Sequence, residues 1–345
     1  MKIVFFGTPD FVLPVLKALH KIKNFRLVAV ITQPDRPVGR QKILTPFPVK
    51  LFAQKKKIMV IDSPSIFQII EQVKAVKPDV GILAAYGKIV PQALIDLFPK
   101  GILVVHPSLL PKYRGASPVQ AAILNGDKET GATIIKMDAK MDHGPIIAQF
   151  KEKIKENDTA EALYTRLFEM TARVLTTILP VWVDYQDKKS KVKSQKSKVK
   201  IFLPPTSQNH SQASYARILK KDDGYIPPEF LQATMEGKEI KKPWKISFIK
   251  NYTLMPRAFT LERFIRAMTP WPGTWTEIKI NPPSANRRSG QISNLKSTKR
   301  LKFLKAHLEN QLSAKLVLDQ VQLEGKKSVS WLEFKRGYPE TDFTY

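Results

Sequence analysis

The sequence contains no cysteine. Disulfides and thiolate metal sites are thereby excluded, and a reducing compartment fits. Histidine is scarce too: the five residues are scattered singly, with neither HExxH nor paired-ligand spacing, so no structural or catalytic metal is expected. No apolar run approaches the ~18 to 20 residues of a membrane span, and even 174–183 is broken by threonines and Pro180. The apolar run in the opening MKIVFFGTPD is over by Asp10, shorter than the roughly 7 to 15 residues of a signal-peptide core, and a cytoplasmic chain is expected. Gly7-Thr8-Pro9-Asp10 stands where a GxGxxG loop would open a nucleotide-binding fold, so no dinucleotide is implied.

Acidic residues are also in short supply. Against 57 Lys+Arg stand 30 Asp+Glu, a net charge of +27. Residues 1–186 carry 26 Lys+Arg and 16 Asp+Glu, and residues 187–345 carry 31 and 14, so the second half is the more basic. A broad positive field favours a polyanionic partner through counterion release and steering, with nucleic acid first among candidates. Excess lysine can also be only a solvated surface.

At 345 residues the chain accommodates about two domains of ~150 residues. Lys2 to Phe6 reads as a strand and Phe11 to His20 as a helix with Val12, Val15, Leu16 and Leu19 at helical spacing. Further strands follow at 26–32, 58–61, 79–85 and 102–105, and the alternation predicts a parallel sheet layered with helices. Residues 33–49 interrupt it with four prolines and the basic Arg36, Arg40 and Lys42, and are expected as a long exposed loop. A helical pattern over 158–179 closes the first domain, with Asp158, Thr159 and Glu161 at its start. Lys189-Ser190-Lys191-Val192-Lys193 then recurs at 196–200, and residues 187–208 are expected as a flexible basic linker. Residues 209–345 read as short strands and turns with one helix at 261–268; a strand at 316–323 and turn at 324–327 suggest a small β-barrel, and 281–299 a basic insertion. Trp271 and Trp275, among prolines, read as core and turn rather than as a stacking platform.

The chemistry concentrates in two runs. His106 ends the apolar strand 102–105, and Pro107, Pro111 and Gly115 keep the segment after it irregular. About thirty residues on, Met141-Asp142-His143-Gly144 follows the strand 133–137. A histidine at one strand end and an aspartate in a neighbouring loop form an acid/base pair at the edge where open α/β sheets bind ligands. Taken singly, such a histidine is more often a structural residue and such an aspartate usually a turn former; together they say more.

At these residues the chain resembles the methionyl-tRNA formyltransferases, within the wider family that transfers formyl from 10-formyltetrahydrofolate. The runs HPSLLPKYRGASP (106–118), ETGATI (129–134) and MDHGPI (141–146) carry the resemblance, with weaker islands at 215–218 and 270–275. It implies an α/β fold, a Rossmann-like open parallel sheet formyltransferase domain followed by a smaller OB-like β-barrel domain, here 1–186 and 209–345. It implies a folate co-substrate lying against 84–90, with Tyr86 and Ile89, and against Ser108, Leu109, Leu110 and Pro111. It implies that the 33–49 segment enters the tRNA acceptor stem with Arg36, Arg40 and Lys42. Arg114 is a candidate for orienting an anionic group or holding the loop through its planar fork. A monomer acting in translation initiation, without metal or membrane, completes the expectation.

The family's catalytic set is Asn-His-Asp, which assigns His106 and Asp142. Its asparagine belongs two residues before the histidine, where this chain has Val104. Valine can neither donate to an oxyanion nor accept from an amine. A formyltransferase slowed by that loss is the first reading. The alternatives are a folate-dependent formyltransferase or hydrolase acting on a small substrate, and a non-catalytic tRNA-binding relative.

Overall fold

The sheet that carries His106 is built from nine strands. In the computed structural model, which describes all residues except 39–40, 189–191, 195–198, 281–296, 310–314, 340, 342 and 344–345, the strands as far as residue 206, the separate pair β3 and β4 included, are β1 (Lys2–Gly7), β2 (Arg26–Ile31), β3 (Arg36–Val38), β4 (Ile43–Thr45), β5 (Met59–Ile61), β6 (Val80–Ala84), β7 (Ile102–His106), β8 (Glu129–Lys136), β9 (Ile146–Lys153), β10 (Val192–Ser194) and β11 (Val199–Thr206). The sheet order is β10-β11-β9-β8-β7-β6-β1-β2-β5. The five strands from β5 to β7 run parallel, as the alternating pattern predicts. From β7 outward the pairing turns antiparallel through β8, β9, β11 and β10. The helices α1 (Leu13–Lys21), α2 (Pro48–Lys55), α3 (Ile66–Val76), α4 (Gln92–Ile95), α5 (Pro118–Asn125) and α6 (Ala160–Lys188) intervene. On one face Val4, Phe6, Ala29, Ile31 and Ile61, alternate residues of three strands, pack with Ile69 and Val73 of α3.

The chain divides into two units: Met1–Val119 with Lys128–Ile154 and Ala162–Ala216, and Gln120–Asp127 with Lys155–Glu161 and Arg217–Tyr345. The first unit therefore runs past 187–208. Much of that expected linker is strand: β11 pairs with β9, and Leu203 is fully buried. Lysine-rich composition hid the short apolar alternation at Ile201 and Leu203, which needs a sheet edge to pair with. The two copies of the lysine repeat fall partly outside the described residues. The helix expected to end near 179 continues to Lys188 through Pro180, because Trp182 beyond the proline is buried, and its Nε1 donates to Lys100 O at 2.9 Å.

The 33–49 segment also differs from expectation. Arg36–Val38 and Ile43–Thr45 pair antiparallel as a hairpin, β3 with β4, and α2 begins at Pro48. On β4 Ile43 and Leu44 are 60% and 66% exposed.

In the second unit an antiparallel sheet is present, as expected. Its strands β14 (Thr274–Ile280), β15 (Ser297–Leu308), β16 (Leu316–Leu323) and β17 (Ser328–Ser330) pair in that order, and β12 (Trp244–Lys245) pairs with β13 (Thr253–Leu254). Among the described residues β14 and β17 do not pair. Three helices accompany it: α7 (Pro228–Glu236), α8 (Ala258–Ala267) and α9 (Trp331–Gly337). Only α8 was legible, because its face of Leu261, Phe264 and Ile265 repeats at helical spacing. Trp275 is core, whereas Trp271 is 59% exposed. Most of the basic segment 281–299 lies outside the described residues.

Candidate active site

Strand β7 delivers His106 because its five residues are all buried and the strand is paired on both sides, 102–105 with β6 in parallel and 103–106 with β8 in antiparallel register, His106 opposite Thr133. The irregular segment that follows folds back on the strand end. Ser108 N donates to His106 O at 2.9 Å, and Ser108 Oγ donates to Lys112 O at 2.6 Å. Thr133, fully buried, pins this loop: its Oγ1 donates to Ser108 O at 2.7 Å and accepts from Leu110 N at 3.1 Å and Gln149 Nε2 at 2.9 Å. Gln149 Nε2 also donates to Leu110 O at 3.1 Å. Much of the loop's backbone hydrogen-bonding capacity is thus spent internally.

The His106 ring is held from both sides. Nε2 lies 2.8 Å from Tyr113 O, and a carbonyl only accepts, so Nε2 carries the proton. Nδ1 lies 3.4 Å from Asp142 Oδ2. With Nε2 committed, Nδ1 is the ring atom that can take up a proton, and Asp142 stands where an imidazolium Nδ1–H needs an acceptor.

Asp142 sits in the loop between β8 and β9, which closes through Lys136 N donating to Pro145 O at 3.0 Å. Its φ of +49° is a left-handed conformation that aspartate adopts more readily than most residues. Its Oδ2 accepts from Gly115 N at 2.7 Å. Gly115 has φ +104°, and a Cβ there would stand 2.4 Å from Ala216 O; only glycine lets the chain pass that close and turn its N–H onto the carboxylate. The sequence runs PKYRGASP and MDHGPI therefore meet through one hydrogen bond.

Arg114 is 2% exposed and holds protein groups rather than facing solvent. Its Nη2 donates to Gln208 Oε1 at 2.7 Å and lies 2.7 Å from His210 Nδ1. The His210 and His143 rings stack at 4.0 Å, and His143 Nδ1 pairs with Asp138 Oδ2 at 2.7 Å. Desolvation, then the charges of His143, Arg114 and Lys140, hold the His210 imidazole below its ordinary value, with Asp138 opposing.

Val104 lies two residues before His106 and so on the same face of β7. It is 6% exposed and packs with Leu110 and Ile135. No polar side chain occupies that position.

The other residues singled out from the sequence are dispersed. Ser108 is fully buried, and Leu110 is buried at 3% exposure. Leu109 and Pro111 are half-buried. Tyr86 is a core residue, edge-on to Phe6 at 5.8 Å, and burial raises its phenol above the ordinary value. Its carbonyl accepts from Thr8 Oγ1 at 3.2 Å and Gln33 Nε2 at 2.9 Å. Ile89 is 87% exposed. It lines a shallow depression of about 270 Å³ with Pro64, Ile66, Ile69, Lys88 and Pro91. Arg36 is exposed and donates to Gln33 Oε1. Lys42 is exposed with φ +50°, and Arg40 lies outside the described residues. Among the described residues no group of three or more His, Asp or Glu could hold a metal ion, and no helix is long and apolar enough to cross a membrane. Gln149 and Gln208 went unnoticed in the sequence, because nothing in their local pattern marks them; Thr133 lies in the ETGATI run but was given no role there.

The buried histidine at the end of β7, faced by an aspartate from the adjoining hairpin, lies in a chain whose residues 1–179 match the formyl transferase family. The chain belongs to that family. More narrowly, it is 34% identical to a methionyl-tRNA formyltransferase of Methylacidiphilum infernorum, over 98% of this chain and 95% of the relative. Among solved structures, a methionyl-tRNA formyltransferase from Clostridium thermocellum superposes with a TM-score of 0.52 at 17% identity, covering 94% of this chain and 98% of that one. An N-formyltransferase from Helicobacter canadensis, in complex with folinic acid and dTDP-3-aminofucose, gives a TM-score of 0.56 at 18% identity, covering 96% and 98%. At those identities the two structures bear on the fold.

Proposed function

We propose that the protein is a methionyl-tRNA formyltransferase, moving a formyl group from 10-formyltetrahydrofolate to the amino group of methionyl initiator tRNA. The observation that carries this reading is the His106–Asp142 pair, at 3.4 Å, within a family chain whose methionyl-tRNA formyltransferase relatives align along almost its whole length. His106 takes a proton at Nδ1 as the attacking amine loses it and returns it to the departing nitrogen of the folate. Asp142 aligns the ring and stabilises its charged form. The folate lies against 84–90 and the Ser108 to Pro111 loop, where Ile89 is the exposed apolar contact and the buried Tyr86 shapes the wall from beneath.

The first unit carries the chemistry, and its hairpin contacts the acceptor stem through Arg36, Arg40 and Lys42. The second unit supports the rest of the tRNA through backbone phosphates. Release of the formylated product leaves a cytoplasmic monomer ready for another tRNA, and no metal is required for the steps assigned to His106 and Asp142.

The decisive experiment supplies the purified protein with 10-formyltetrahydrofolate and methionyl-tRNA, with free methionine as the alternative acceptor. Formyl-methionyl-tRNA formed by wild type and lost in His106→Ala is the expected result. Turnover with free methionine at the same efficiency, or an active His106→Ala, would overturn the reading.

A further inference from the structure

The carboxylate loop is fastened by a residue that no sequence run points to. Gln208 is 5% exposed; its Nε2 donates to Asp142 O at 2.9 Å and to Gly144 O at 2.8 Å. Its Oε1 accepts from Arg114 Nη2 at 2.7 Å and Nε at 3.3 Å. Arginine only donates, so the amide can stand one way round, oxygen toward Arg114 and NH2 toward the loop. Arg114 is itself fixed: its N donates to Ser214 O at 2.8 Å, its O accepts from Ala216 N at 2.8 Å, and its guanidinium reaches His210 Nδ1 at 2.7 Å and Tyr215 OH at 3.4 Å.

We infer that Gln208 is a positioning residue for formyl transfer: by clamping the Asp142 and Gly144 carbonyls against Arg114, it holds the Asp142 carboxylate on His106. This rests on the assignment of His106 and Asp142 as the reacting pair. The clamp has a clear task. Asp142 keeps a left-handed backbone, with φ +49°, and its neighbour Met141 is 67% exposed, so the loop gains little from burial at its tip. Fixing the carbonyl of Asp142 fixes the plane from which its side chain departs, and Gly115 N then completes the aim from the other side at 2.7 Å. Both anchors descend from the same turn, since Arg114 holds Gln208 and the next residue supplies the N–H.

The test compares wild type with Gln208→Glu and Gln208→Met, two changes of nearly equal size. Neither substituted side chain can donate to the two carbonyls, while the glutamate still accepts from Arg114, so it should fold even where the methionine does not. The expected result is a kcat lower by about 10- to 100-fold in Gln208→Glu, the order of loss for a displaced catalytic group. KM for both substrates should stay close to wild type; the thermal midpoint should fall, since a carboxylate oxygen then meets the two carbonyls, so kcat is read on protein held well below that midpoint. A Gln208→Glu kcat within about twofold of wild type, or a loss that appears in KM alone, overturns the inference. The His106→Ala control separates the two levels: if wild type is active and this variant equally so, the assignment of the reacting pair has failed rather than the clamp.

Discussion

Replacing Val104 with asparagine restores an amide where the family resemblance expects one, and the structure sets both its benefit and its cost. Position 104 shares a face of β7 with His106, about 7 Å away along the strand. An Asn NH2 there can donate to the oxygen of the developing tetrahedral carbon, an interaction worth about 10²- to 10³-fold in rate where such donors have been removed. The cost arises because Val104 is 6% exposed among Leu110, Ile135, Leu83, Met137 and Ile146. Losing the buried isopropyl group costs about 2 kcal/mol, and an amide without substrate adds about 1 to 3 kcal/mol of unmet hydrogen bonding. The free variant should therefore melt roughly 6 to 20 °C lower, at the usual 2 to 4 °C per kcal/mol for a unit of this size. Single-turnover formylation of methionyl-tRNA at saturating folate, run well below the variant's midpoint, should show a gain of about tenfold or more. A folded variant with an unchanged single-turnover rate would refute the reasoning, because a missing oxyanion donor would then not be what limits the reaction.

Three further perturbations probe other parts of the molecule. Gly115→Ala places a Cβ 2.4 Å from Ala216 O at φ +104° and should cost about 1 to 3 kcal/mol in urea unfolding. It should also lower kcat, since Gly115 N can no longer meet Asp142; wild-type stability would show that the turn relaxes freely. In the second unit Asp223 accepts from both Arg217 nitrogens, Ser247 Oγ and Lys220 N. Burial alone would raise its carboxyl, but these donors outweigh it and hold it below its ordinary 3.8. Its stabilisation is thus complete above that value and lost as pH falls through the lowered one. Asp223→Asn should cost about 2 to 3 kcal/mol at neutral pH, and the difference from wild type should shrink on acidification below pH 3.8; a constant difference would contradict the assignment. Lys42→Asn, a residue that suits φ +50°, should raise KM for tRNA with kcat unchanged and reduce the salt slope of binding by about one. An unaltered slope would remove Lys42 from the phosphate contacts.

The parallel strands, His106 at the end of β7 and Asp142 before its glycine were legible because each depends on neighbours within a few residues: apolar runs, proline and glycine at turns. So was the missing amide at Val104, which is a matter of identity at one position. The hairpin at 36–45 was read as a loop because its two strands are three residues each and mostly exposed, leaving no alternation to detect. The strand at 199–206 was read as linker because its stability comes from pairing with β9, some fifty residues earlier. Helices α7 and α9, nine and seven residues long, were read as strands and turns with the rest of 209–345.

The sequence alone thus determined the α/β framework and where His106 and Asp142 stand in it, since strand ends and turns are local properties of the chain. Only the tertiary structure decided how those residues are held. Gln208 reaches Asp142 from 66 residues away and Arg114 from 94. No periodicity or spacing encodes such contacts, because they exist only once the segment after β11 has folded back over the end of the sheet.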